Sequence, residues 1–238
     1  PVMVWLHGGG FSAGSSIEQL AYDGENLSRA GDVVVVSVNH RLNVLGYLDL
    51  SPFGEKYQDS ANAGNLDLIA ALEWIRDNIE GFGGDPENVT LFGQSGGGVK
   101  VWSLLQMPEA DGLFHKGIIE SGVVDPDLLG DAEDGNGREI VKAMLAELGL
   151  EEKDVDQLET LPYDQLAQAY ENAAPKVAQK GEYVGNHPHK NQSYFGDAIK
   201  HGFREETKKI PLLIGTVLGE FDFGPAISGK YEFTKKEV

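Results

Sequence analysis

Ser95 stands in Gly93-Gln94-Ser95-Gly96-Gly97, between the apolar run Val89–Phe92 and a segment with helical spacing. Gly-x-Ser-x-Gly at a strand-to-helix junction is the pattern of a sharp turn that presents a serine as a nucleophile. Glycines two residues to either side let neighbouring backbones pass without a Cβ in the way. The turn lifts the hydroxyl above the sheet edge. It also places the N–H of Gly96 at the first turn of a helix, where developing negative charge is favoured. A flexible glycine loop without chemistry is the competing reading of so short a pattern. A phosphate-binding loop does not fit, because the Gly-Lys-Ser/Thr ending is missing, and Gly93-Gln94-Ser95-Gly96 fails the first half of a dinucleotide fingerprint.

A serine that attacks an acyl group needs N–H donors from outside its own turn. His7-Gly8-Gly9-Gly10-Phe11, after the apolar run Val2–Leu6, offers bare backbone that can approach a carbonyl oxygen closely. Both glycine loops follow a predicted strand, and ligands of open parallel sheets bind at the carboxyl ends of strands. His7 lies on the wrong element and in the wrong order for a catalytic base. It is read as orienting the glycine loop by hydrogen bonds.

These loops need a sheet to hold them. Strands are predicted at Val2–Leu6, Val33–Val38, Val89–Phe92, Gly117–Ser121 and Ile210–Gly215. The valine run at 33–36 suits a strand buried on both faces of a parallel sheet. Helices are predicted at Ile17–Ala30, at a long segment capped by Asp59 or Ser60 and carrying Leu66, Ile69, Leu72 and Ile75, and at Gly97–Gln106. Alternating strands and helices imply βαβ units and a mostly parallel α/β sheet with helices on both faces. Residues 125–205 change character: they are acidic and helix-rich, with helices expected near Arg138–Leu148, Asp154–Thr160 and Tyr163–Ala173. The organisation expected is a core over 1–124, a helical insertion over 125–205, and a return strand with its loop over 206–238, all within one domain.

The composition narrows the function. The 238 residues carry a formal charge of -19, which repels nucleic acid and anionic membrane surfaces, so neither is an expected partner. There is no cysteine, so disulfides, cysteine-zinc sites and thiol catalysis are excluded. No apolar run is long enough to span a bilayer. No metal or organic cofactor is called for; His187-Pro188-His189 offers two ligands without a third. Asn88-Val89-Thr90 and Asn191-Gln192-Ser193 match the glycosylation tripeptide, a pattern that recurs by chance.

Four stretches, "PVMVWLHGGGFSAGSS", "VVVVSVNHRLNVLGYLDL", "DSANAGNLDLIAALEWIRDNIEGFGGDPENVTLFGQSGGG" and "GLFHKGIIESG", resemble the type-B carboxylesterase/lipase family. The resemblance runs almost unbroken from Pro1 to Gly122 and returns at "IPLLIGTVLGEFDFG". It implies an α/β-hydrolase fold and hydrolysis of small-molecule carboxylic esters. By motif it implies Ser95 as nucleophile, with Gly9, Gly10 and Gly96 as oxyanion donors. It further implies Glu220 as the acid, Ser121 as the serine supporting that acid, and Asp222 as an alternative acid. The chain departs from the family's Glu-Ser-Ala at Gln94-Ser95-Gly96: Gln94 removes a negative charge beside the serine, and Gly96 replaces Ala while keeping the N–H. In "NHRLNVLG", His40 and Asn43 stand where the family usually has Tyr and Gly; Asn tolerates positive φ better than most residues.

The base is missing. In this fold the order is serine, acid, histidine, yet all six histidines (His7, His40, His115, His187, His189 and His201) precede Glu220. The expectation is an internal portion of a longer esterase, with the histidine supplied by further sequence of the same protein or by a second chain. The isolated segment is expected to be poorly folded and inactive. A non-catalytic adhesion or binding module is the alternative from another class; the retained Ser95 and the lack of cysteine weigh against it. The lack of cysteine, signal and anchor points to the cytoplasm, with secretion left open.

Overall fold

The structure, a computed structural model, describes residues 1–123, 135–185 and 187–220. Its strands β1 (Val2–Leu6), β2 (Val34–Val38), β3 (Val89–Gln94), β4 (Lys116–Glu120) and β5 (Leu212–Gly215) form a 5-stranded sheet in the order β2-β1-β3-β4-β5. Every pairing is parallel. The register sets Leu6 beside Val38 on one side and Gly93 on the other. The chain segments that follow β1 and β3 therefore leave the sheet side by side.

Successive strand residues point to opposite faces. Val2, Val4 and Leu6 of β1 share a face with Val89 and Leu91 of β3 and Ile119 of β4, and all are buried. Against that face pack α3 (Ala63–Asn78), through Leu68, Ile69, Leu72 and Ile75, and α4 (Gly96–Leu104), through Val101 and Leu104. Each such side chain contributes about 1.5–3 kcal/mol when fully buried. On the opposite face Trp5 packs on Phe92 and on Tyr22, with ring centroids 5.0 and 4.9 Å away.

Three local expectations around the sheet are corrected, and a fourth in the acidic region. The helix read over Ile17–Ala30 is a 3-10 turn, Leu20–Asp23, followed by α1 (Glu25–Gly31). Gly24 breaks it at φ 77°, where a Cβ would lie 2.5 Å from Val35, and the Asp23 carboxylate takes the Glu25 N–H for itself. Val34, Val35 and Val36 of β2 are half-buried and Val38 alone of its valines is buried, because β2 is the edge strand of the described sheet. Neither Asp59 nor Ser60 caps α3. The Ser60 hydroxyl accepts from the Leu50 N–H at 2.7 Å, and Asp59 accepts from Asn191 and Ser193 at 2.9 Å.

After β2, α2 (Asn43–Tyr47) precedes α3, and the acidic region supplies α5 (Arg138–Glu147) and α6 (Tyr163–Ala178), joined by a 3-10 segment, Glu152–Glu159. That segment was read as a helix over Asp154–Thr160; a capping box between Glu151 and Asp154 starts it as the tighter form. Helix α6 runs past Pro175, because Val177 buries into the same core as Ala169 and Ala173. This second core takes in Ile140, Val141, Met144 and Leu145 of α5 and also Val44 of α2 and Leu48 just after it. A short α7 (Ala198–His201) precedes β5.

Candidate active site

Ser95 takes φ 54° and ψ -126°, a conformation rarely adopted by residues with a side chain. Such backbone costs on the order of 1–3 kcal/mol and persists only where the surroundings over-determine it. Here the Ser95 N–H donates to the Glu120 carbonyl at 2.8 Å, and the Ser95 carbonyl accepts from the Val99 N–H at 3.0 Å. Glycines close the rest. A Cβ on Gly97 would lie 1.9 Å from the Leu6 carbonyl oxygen, and one on Gly93 would lie 2.5 Å from the Gly97 carbonyl carbon. Bare backbone at these positions lets β1, β3 and α4 meet, and Ser95 is left partly exposed above them.

The loop after β1 folds onto this turn. Gly9 and Gly10 have φ 87° and 62°, and the Gly9 carbonyl accepts from the N–H groups of Ser12 and Ala13 at 3.3 and 3.1 Å. The Phe11 carbonyl accepts from the Asn43 N–H at 2.8 Å. Asn43 itself has φ 53°, the glycine-like conformation anticipated for it. A Cβ on Gly96 would lie 2.3 Å from the Gly10 nitrogen, so the loop tip touches the first residue of α4. The N–H groups of Gly9, Gly10 and Gly96 are thus gathered in one region, and none donates to another backbone group among the described residues. Gln94, at the exposed end of β3, faces Gly8, whose Cβ position is 3.2 Å from the Gln94 carbonyl oxygen.

The carboxylate comes from the far side of the sheet. Glu220 accepts the Val217 N–H at 2.9 Å. A hydrogen bond from the Ser121 hydroxyl, with the Val217 N–H second, holds its carboxyl below the usual range. Ser121, at φ 51°, donates its own N–H to the Gly215 carbonyl at 2.7 Å, which fixes it where β4 and β5 end. Ser121 and Glu220 are therefore brought together next to the residue, Glu120, that anchors the Ser95 turn. Asp222 lies outside the described residues.

A family model described as the carboxylesterase family matches residues 1–237. The chain belongs to the carboxylesterase family. It is 41% identical over 230 residues to a para-nitrobenzyl esterase of Bacillus subtilis, covering 92% of this chain and 44% of that protein. Carboxylesterase 3B of Mus musculus is 48% identical over 131 residues, 55% of this chain and 22% of its own length. Among solved structures, an esterase from Clostridium hathewayi, described as able to hydrolyse aliphatic aromatic polyesters, superposes with a TM-score of 0.91 at 56% identity, over 100% of this chain and 47% of that one. A carboxylesterase of Geobacillus stearothermophilus superposes with a TM-score of 0.77 at 33% identity, over 100% of this chain and 48% of its own. The chain spans about half the length or less of the relatives it matches. The α/β-hydrolase fold expected from the sequence is the fold of these carboxylesterases.

Within this carboxylesterase-family chain the histidines are engaged in other ways. His7 has no exposed surface, and its Nδ1–H donates to the Gly8 carbonyl at 2.8 Å, since a carbonyl only accepts. Gly14 leaves room for its ring, because a Cβ there would lie 2.5 Å from Nδ1. His40 packs on His7 with ring centroids 5.0 Å apart. Burial, then the neighbouring Lys100 and His7, push its pKa down to about 3. His115 accepts the Val89 N–H at 3.2 Å, and His187 and His189 pack on the Tyr183 ring at 5.8 and 5.0 Å. His201 ends α7 on an exposed surface. Among the described residues no group of three or more His, Asp or Glu side chains is placed to hold a metal, and no helix is long and apolar enough to cross a membrane.

A buried lysine beneath the site and a half-exposed Arg41–Asp67 ion pair were missed from sequence. Lys100 has no exposed surface, and its Nζ donates to the His7 carbonyl at 2.9 Å. The signal was there: a lone cation inside the apolar helical run "VKVWSLL". Arg41 clasps Asp67 through Nε and Nη2 at 2.8 and 2.7 Å, an arrangement no short motif announces.

Proposed function

We propose that this chain carries the nucleophile, oxyanion site and acid of a serine carboxylesterase acting on small-molecule esters. The observation that carries the reading is the strained Ser95 turn with the Gly9–Gly10 loop resting on Gly96. The Ser95 hydroxyl attacks the ester carbonyl carbon and gives its proton to a histidine. The oxyanion that forms takes hydrogen bonds from the N–H groups of Gly9, Gly10 and Gly96, donors already in place before charge develops. The tetrahedral species collapses, the alcohol leaves with the proton, and an acyl-serine remains. Water then repeats the steps, releasing the carboxylic acid and restoring Ser95. Glu220 holds the histidine in the right tautomer and stabilises its cation, and Ser121 keeps Glu220 charged. His7 orients the glycine loop, and Gln94 leaves the serine without a negative neighbour.

The histidine is assigned to sequence beyond these residues, either further along the same protein or on a second chain, because none of the six follows Glu220. Identity of 56% to an esterase described as acting on aliphatic aromatic polyesters puts esters of aromatic acids in the substrate panel. The test uses the full-length protein. A fluorophosphonate probe should label Ser95, and Ser95→Ala should lose both labelling and ester turnover. Full-length protein that turns over no p-nitrophenyl ester and leaves Ser95 unlabelled would refute the reading.

A further inference from the structure

Among the described residues, Lys100 is a fully buried cation with no carboxylate within ion-pair distance. Burying an ammonium without a counter-ion is costly, and a well-packed Leu or Met would make the more stable core. Something other than stability must account for a lysine here. What its Nζ touches is a single peptide unit, the one joining His7 to Gly8, whose carbonyl it meets at 2.9 Å. That is the first peptide of the glycine loop. The next carbonyl, of Gly8, accepts from the His7 ring at 2.8 Å, and the one after, of Gly9, accepts from Ser12 and Ala13. Three consecutive carbonyls are thus pinned, and the N–H groups of Gly9 and Gly10 stay free.

Lys100 also belongs to α4, the helix whose first residue, Gly96, gives the third N–H. Its hydrogen bond is therefore a strut between the two pieces of backbone that make the oxyanion site. A donor carrying charge makes roughly twice as strong a bond as a neutral one. Burial brings the lysine's pKa down to about 7, and both its ammonium and its amine have an N–H to give.

We infer that Lys100 is a positioning residue for the oxyanion site, fastening the glycine loop to the elbow helix through the His7 carbonyl. The inference rests on the esterase reading above. Misplacing a catalytic group by about an ångström costs on the order of 100-fold in rate. In the full-length protein, Lys100→Met should therefore lower kcat on p-nitrophenyl acetate by about 10- to 100-fold, with KM changed by less than about twofold. Its melting temperature should be unchanged or higher, because a buried charge has gone. Inactivation by a fluorophosphonate, in which serine attack builds negative charge on the phosphoryl oxygen of a pentacoordinate phosphorus before fluoride leaves, should slow by a similar factor. Lys100→Gln, which keeps an amide donor, should recover part of kcat. An active wild type with Lys100→Met at equal kcat would overturn the assignment of Lys100 alone. So would loss of folding in both variants, which would make Lys100 a stability residue. A wild type that neither hydrolyses the ester nor takes the label would overturn the esterase reading first, and this one with it.

Discussion

At the β3 end of the site Ser95 is enclosed by main chain: Gly93, Gly96 and Gly97 each lie where a Cβ would come within 2.5 Å of another segment's backbone. At the β5 end Glu220 stands on an exposed turn, held by the Ser121 hydroxyl and the Val217 N–H. Backbone packed against backbone has no rotamers to explore, and interiors at that density do not deform gradually. A carboxylate on two hydrogen bonds in solvent is charged but free to adjust. The first arrangement suits N–H groups that must wait, fixed, for a developing oxyanion; the second suits an acid that follows the movement of a histidine. Substitutions at the two ends should therefore fail differently.

The largest effect belongs to the serine. Ser95→Ala should cut kcat/KM on a p-nitrophenyl ester by about 10⁴-fold or more, the scale seen when a triad member is removed. Ser95→Gly should be equally inactive yet more stable by about 1 kcal/mol, because glycine relieves the positive φ. Thermal melts and turnover on the same two samples check both. A glycine variant no more stable than wild type would mean that the turn stores no strain.

Glu220→Gln comes next. On the proposed esterase mechanism, loss of the charge assigned to stabilising the histidine cation should lower kcat by about 10²- to 10⁴-fold. The exposed position predicts a melting temperature within about a degree of wild type. Gly97→Ala should invert that pattern. A Cβ 1.9 Å from the Leu6 carbonyl oxygen must push β1 and α4 apart, at a cost of at least the ~1–3 kcal/mol typical of overpacking. Urea unfolding should show the loss before any assay does. If the two variants unfolded alike, the contrast between the ends would be wrong.

The serine end was legible because glycine spacing encodes it. Close backbone approach at Gly9, Gly93 and Gly97 leaves no room for a Cβ, and Gly10 is favoured by its φ of 62°, so these glycines stand out in the chain as a pattern. The strands around them were legible from their β-branched runs, and each predicted strand is present. What escaped was decided by contacts between distant residues. Asp59 and Ser60 looked like helix caps and instead serve Asn191, Ser193 and Leu50. Gly24 interrupts a helical pattern because Val35, across the fold, occupies the space. Lys100 belongs to no motif, and His40 stands out only as a departure from the family's usual Tyr; the tertiary fold around His7 buries the Lys100 side chain and the His40 ring nitrogens.

That sealed cluster gives the serine end a pH sensitivity of its own. His7 and His40 both have pKa values lowered first by burial, His40 to about 3. In the unfolded chain they titrate near the ordinary 6.5, so between about pH 6.5 and 3 the unfolded state binds more protons than the folded one. The stability they contribute is present above pH 6.5 and falls as the pH drops through that window. His40→Phe should flatten the decline in melting temperature between pH 7 and 5 while leaving turnover at neutral pH in place. A wild type whose stability does not change over that range would mean that the rings are not sealed.

The smallest effect is expected at Ser121. Its hydroxyl is the first reason that the Glu220 carboxyl lies below the usual range. The sign is that of a depressed acid: the charged form is favoured, and the benefit disappears as the pH falls through the folded-state value. Ser121→Ala should move the Glu220 titration to higher pH, as followed by carboxyl carbon NMR, with the Val217 hydrogen bond left to hold the side chain. Turnover at neutral pH should fall only modestly, since Glu220 stays ionised there, and the loss relative to wild type should widen as the pH is lowered. An unshifted titration would mean that the turn at Val217 alone holds the acid, and the β5 end would then resemble the backbone-fixed serine end more closely than its exposure suggests.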